Sequence, residues 1–112
     1  MNYEISIQAQ YTIISFSGDV DLQYSPQARE QILKYLNDNC HLLVDLTSVS
    51  YIDSSGIACL VEGYQLSKSK NLEFGLVGVS KMAMQVIQLA RLDKVFPIHD
   101  SVDHRLTTQN SN

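Results

Sequence analysis

Apolar and polar residues alternate at the start of the chain, with Tyr3, Ile5 and Ile7 on one side and Glu4 and Ser6 on the other. A period of two is that of a half-buried strand and predicts one over Tyr3–Ile7. "YTIISFS" at Tyr11–Ser17 is β-branched and aromatic, which predicts a second strand. The short polar break between them suits a hairpin. "GDVD" at Gly18–Asp21 then interrupts the pattern. Ser25-Pro26 reads as a helix start, a hydroxyl cap followed by proline at the first helical position. Ala28, Ile32, Tyr35 and Leu36 recur at helical spacing, and "NDN" at Asn37–Asn39 ends that helix.

"LLVDL" at Leu42–Leu46 is a short apolar run, suited to a central parallel strand buried on both faces. From Ile57 the apolar residues fall at Ile57, Leu60, Val61 and Tyr64, a helical stripe that fades at "SKSKN". Leu72–Gly78 predicts another strand. Ser80 is placed to cap a third helix, with Ala83, Val86, Ile87 and Ala90 on one face. "VFPI" at Val95–Ile98 predicts a last strand, confined to an edge by Pro97, and a short helix capped by Asp100 or Ser101 follows. One domain over residues 1–106 is expected, with a disordered polar tail over 107–112 that has nothing to bury. The order is β-β-α-β-α-β-α-β-α. It predicts an α/β fold with a mixed, mostly parallel β-sheet, the opening hairpin supplying the antiparallel pair.

A chain of 112 residues can bury roughly two-thirds of its unfolded surface without a staple. The two cysteines, Cys40 and Cys59, make no disulfide framework and read as small core residues. No metal-ligand spacing surrounds them, and no cofactor motif or metal site is expected. The net charge of −4 gives no general attraction for phosphate backbones, so direct nucleic-acid binding is not expected. "MNYEISIQ" lacks a charged leader before an apolar run, and no run approaches bilayer length. A cytoplasmic protein without a membrane partner is therefore expected, as a monomer or weak dimer.

The chemistry concentrates in "YIDSSGIACL" at Tyr51–Leu60, where Asp53, Ser54, Ser55 and Gly56 precede an apolar helix. Three readings compete there. A helix cap accounts for one such residue but not for an aspartate and two serines together. A nucleophilic serine would need a glycine two residues before Ser55, and that position is Asp53. It would also need a base, and His41, His99 and His104 carry no motif and read as surface residues. No catalytic residue is assigned, and the chain is not expected to be an enzyme. The third reading is a serine that another enzyme modifies. A response-regulator receiver would need acids at the end of the first strand, where "IQAQ" has none. "GLVGVSK" at Gly75–Lys81 lacks the spacing of a phosphate loop.

"VDLTSVSYIDSSGIACL" resembles the signature of the STAS domain, specifically that of bacterial anti-sigma factor antagonists. "ISFSGDVD" is similar to that family's strand followed by Gly-Glu-[Leu/Ile]-Asp. "LEFGLVGVSKMAMQVIQLARLDKVFPI" is similar to its strand, helix and leucine-rich turn into the last strand. The resemblance runs from about Tyr3 to Leu106. The stretch after Asp21, "LQYSPQARE", departs from it, since Ser25-Pro26 is not typical.

The resemblance implies a single-domain fold with helices packed mainly on one side of the sheet. It implies phosphorylation at Ser55, the second serine of the pair, framed by Asp53, Ser54 and Gly56, with Asp21 on the loop that faces a partner kinase. It further implies a partner switch. The unmodified protein would bind an anti-sigma factor that is also a serine/threonine kinase. Phosphorylation would release it, and a serine/threonine phosphatase would restore binding. The alternative is a STAS scaffold subunit of a transport or signalling complex. Such domains often lack the serine.

Overall fold

The structure, a computed structural model, describes residues 1–110. Nine elements follow the expected order: β1 (Asn2–Gln8), β2 (Tyr11–Val20), α1 (Ser25–Asn37), β3 (His41–Ile52), α2 (Ser54–Ser69), β4 (Phe74–Val77), α3 (Lys81–Leu89), β5 (Ile98–His99) and α4 (Val102–Asn110). They form one five-stranded sheet in the order β1-β2-β3-β4-β5. Only the β1–β2 hairpin is antiparallel; every other pair is parallel.

Because the strand order never reverses, the right-handed crossovers put α1, α2 and α3 on one face. Side-chain alternation then divides the interior. Ile14, Phe16, Leu42, Val44 and Leu46 join the core beneath these helices. Tyr11, Ile13, Leu43 and Val77 face the other way, against Val102 and Leu106 of α4. Leu42, Leu43 and Val44 are thus buried on both faces, as a central strand requires. Cys59 is buried and Cys40 half-buried, both free.

Several local expectations are corrected. Gly18 does not end β2; the strand continues to Val20, with shifts in register after Ser15 and Gly18. Gly18 sits at φ +82°, which its missing Cβ permits. Ser25 does not cap α1. It is buried, the N-cap position is Tyr24, and no side-chain cap bond forms there. The face of β1 is only partly covered: Tyr3 packs against Phe16, but Ile5 and Ile7 are 36% and 75% exposed. Phe96 enters the core ahead of β5, which is only two residues long. Ala90 is exposed instead of facing the core.

The stripe of α2 also differs, for the residues facing α1 are small. Gly63 and Ser67 are buried, and a Cβ on Gly63 would lie 2.6 Å from Ile32 Cγ2. Ser80 does cap α3, its hydroxyl accepting from Ala83 N at 3.2 Å, and Ser101 does the same for His104 N at 3.0 Å. Helix α4 takes in residues 107–110 of the stretch expected to be a tail; 111–112 lie outside the described residues. His41 and His99 are half-buried and not fully exposed. His41 Nδ1 accepts from Glu73 N at 2.9 Å, and His99 Nε2 is buried. No helix among the described residues is long and apolar enough to cross a membrane.

Candidate functional site

Strands β2 and β3 run parallel and finish side by side, Val20 opposite Ile52. In each case the next residue is an aspartate that opens the link to a helix: Asp21 follows Val20, and Asp53 follows Ile52. Asp21 shapes the turn into α1. Its carboxylate accepts from Gln23 N at 3.1 Å and Tyr24 N at 3.2 Å, and its carbonyl from Ser25 N at 2.7 Å. This aspartate does the work that the sequence assigned to Ser25.

Asp53 is the N-cap of α2, in extended backbone conformation. Its Oδ1 accepts from Ser55 N at 2.9 Å, Gly56 N at 3.2 Å and the Ser55 hydroxyl at 2.5 Å. Its Oδ2 accepts from Leu22 N at 3.1 Å. One carboxylate therefore closes the first turn of α2 and ties the Asp21 loop to it. The Ser55 hydroxyl foremost, with the amides of Gly56, Ser55 and Leu22, holds Asp53 below its usual range against the opposing pull of burial. At neutral pH it is an ionised hydrogen-bond acceptor.

The two serines differ. Ser54, the first residue of α2, is exposed, and its hydroxyl has no hydrogen bond to another described side chain or backbone group. Ser55 is half-buried and spends its proton on Asp53. Gly56 is buried. A Cβ there would stand 2.6 Å from both the Val20 carbonyl oxygen and Ile52 Cγ1. Its φ is not positive, so the glycine answers a need for space and not for an unusual turn. The missing side chain faces inward and lets α2 seat on the ends of β2 and β3.

A groove of about 320 Å³ leads away from Ser55 between α1 and α2. Ser25, Pro26 and Arg29 form one wall, and Ala58, Cys59 and Glu62 the other. Arg29 bridges to Glu62 through two hydrogen bonds, 2.6 and 2.8 Å. The Cys59 thiol donates to the Ser25 and Ser55 carbonyls, both at 3.3 Å, and burial pushes its pKa up, so it is not a reactive thiolate. Two large apolar side chains on the elements that meet here are exposed: Leu22, 76%, and Tyr51 at the end of β3.

The structure thus brings Asp21, Asp53, Ser54, Ser55 and Gly56 to one corner of the molecule. Sequence reasoning missed Leu22, Arg29 and Glu62. The last two are single charges on separate helices, and nothing local marks them as a pair. The hydroxyl of Ser55 meets a carboxylate and not a histidine, so the corner lacks the nucleophile–base pair of a serine hydrolase.

The family model described as "STAS domain" matches residues 2–104. The chain belongs to the STAS domain family. It is 28% identical over 102 residues to an anti-sigma-B factor antagonist of Listeria monocytogenes, covering 88% of this chain and 90% of that protein. Among solved structures, an anti-sigma factor antagonist from Mycobacterium paratuberculosis superposes with a TM-score of 0.83 at 26% identity, over 96% of this chain and 92% of that one. The Bacillus cell-fate determinant SpoIIAA in its phosphorylated form shares the fold at a TM-score of 0.74 and 14% identity, over 96% of this chain and 98% of that one.

Proposed function

We propose that this protein is a cytoplasmic anti-sigma factor antagonist controlled by reversible phosphorylation at the start of α2. Unmodified, it docks an anti-sigma factor that is also a serine/threonine kinase. Phosphate transferred to the Ser54–Ser55 pair ends that docking, and a serine/threonine phosphatase restores it. The observation that carries this reading is an exposed hydroxyl on the first turn of a helix, beside a capping carboxylate and an open groove. The names of the relatives and the phosphorylated form of a structural neighbour support it.

The resemblance assigns the phosphate to Ser55, but the geometry favours Ser54. Modifying Ser55 breaks its 2.5 Å bond to Asp53 and sets a dianion against that carboxylate. Modifying Ser54 breaks no hydrogen bond among the described residues, and the hydroxyl already faces solvent. Either acceptor leaves the mechanism unchanged.

Phosphate adds about −1.5 to −2 charges at neutral pH. The helix N-terminus favours it by roughly 0.3–1 kcal/mol, and Asp53 opposes it by about 1 kcal/mol in solvent. These terms nearly cancel, so the free fold tolerates the modification. Release of a partner by a factor of a thousand requires ~4 kcal/mol. Burying a dianion whose hydration is not replaced supplies that much. Phosphate therefore acts by spoiling an interface.

The test is mass spectrometry after incubation with the host's anti-sigma kinases and ATP, for wild type, Ser54→Ala and Ser55→Ala. Phosphate on wild type and Ser55→Ala but not on Ser54→Ala is expected. Phosphate lost only with Ser55→Ala moves the acceptor by one residue. No phosphate on any of the three contradicts the switch and leaves the scaffold reading.

A further inference from the structure

Strand β1 is an outer strand of the sheet, paired on one side only. Helix α1 packs chiefly over β2 and β3. This explains why the apolar face of β1 is left bare beyond Tyr3, with Ile5 36% and Ile7 75% exposed. Free edges are normally blunted by lysine, proline or inward charges. Asn2–Gln8 contains none of the first two, and its one charge is Glu4.

The spacing along β1 is self-complementary. Two copies paired antiparallel about a two-fold axis at Ile5 overlap over the whole strand, Asn2 opposite Gln8. Tyr3 then meets Ile7 of the second copy, Ile5 meets Ile5, and Glu4 meets Ser6. The apolar side chains all fall on one face, and no carboxylate opposes another. Moving the axis to Glu4 would set Glu4 against Glu4; moving it to Ser6 would leave Tyr3 without an apolar partner. We propose that β1 is a homodimerisation edge, on which a second copy of this chain adds in that register and joins two sheets into one of ten strands.

The surface stands apart from the phosphorylation corner. Ile7 pairs with Thr12 near the beginning of β2, whereas the corner lies beyond Val20 at its end. A dimer of this kind leaves both corners open. Its interface is one seven-residue strand pair, smaller than the ~1,200 Å² at which stable interfaces begin. The association is therefore weak.

Sedimentation equilibrium of the full chain tests it. The mean mass is expected to rise from 12.6 kDa toward twice that value between about 10 µM and about 1 mM protein. Ile7→Lys and Ile5→Lys are expected to hold the chain monomeric, while Leu89→Lys, at an 86% exposed residue of α3, leaves dimerisation intact. Oxidative cross-linking reads the register. In a Cys40→Ser background, Ile5→Cys faces itself at a Cα separation of about 4.5–5.5 Å, within disulfide reach. Ile7→Cys faces its own copy only at roughly 13 Å. A disulfide dimer is expected for Ile5→Cys and not for Ile7→Cys. Monomeric mass throughout, a dimer indifferent to Ile7→Lys, or equal cross-linking of both cysteine variants would overturn the proposal.

Discussion

Asp53 carries more of the local structure than any other side chain at the corner, because its two oxygens serve three amides and a hydroxyl on two separate segments. Asp53→Ala removes an N-cap, which costs about 1 kcal/mol, and also frees the loop at Leu22. A lower urea midpoint and faster amide exchange at Leu22 are expected together. A fall in midpoint with unchanged exchange at Leu22 would mean that the link between loops is idle. Gly56→Ala meets backbone at Val20, which cannot swing aside as a flexible side chain can. The better helix propensity of alanine offsets about 1 kcal/mol, against an overpacking cost of typically 1–3 kcal/mol. A net loss of stability by urea denaturation is expected, whereas Ser54→Ala stays within about 0.5 kcal/mol of wild type.

Helix α4 is held by a polar cluster whose members titrate in different ranges. Glu73 accepts from Tyr11 at 2.9 Å and Arg105 at 2.6 Å. Burial pushes Glu73 up, but the Arg105 and Tyr11 hydrogen bonds outweigh it and hold its carboxyl below the usual value of 4.5. Tyr11 is pushed up to about 12, by burial first and then by Glu73. His99 is driven below the ordinary 6.5, by burial and then by the Arg105 charge; Glu73 opposes this and His104 adds to it. With the folded pKa of His99 depressed, the unfolded chain takes up the proton first, so stability falls as pH drops below about 6.5. With the folded pKa of Glu73 depressed, its contribution is present above the unfolded value and is lost as pH falls through the folded one. Two acid steps in amide exchange of α4 are expected, and His99→Phe should abolish only the upper one. An upper step that survives His99→Phe would contradict the assignment. At this scale the order of elements was legible in apolar spacing, and so were the Ser80 cap and the buried Leu42–Val44 run. What was not legible depends on partners distant in sequence: β2 passing through Gly18 because β3 offers it a ladder, Asp21 displacing Ser25 at the start of α1, and the polar end of the chain helical as far as Asn110 in α4.

At the scale of the whole molecule, two parallel strands ending together force two helix starts into one corner, and a single carboxylate joins them. The motif around Asp53 could be recognised from sequence because its residues are consecutive. The distinction between Ser54 and Ser55 could not, since it rests on which hydroxyl the fold turns toward Asp53. The net charge of −4 becomes about −6 on phosphorylation, yet the terms at the helix start nearly cancel. The backbone of the modified protein should therefore superpose on the unmodified one, as amide chemical shifts outside residues 20–24 and 51–60 would report. The most direct test of the switch is calorimetric titration of the partner anti-sigma kinase with unmodified protein and with protein carrying genetically encoded phosphoserine at position 54. A loss of affinity of about a thousandfold with an unchanged fold is expected. Equal affinities for the two forms would contradict it.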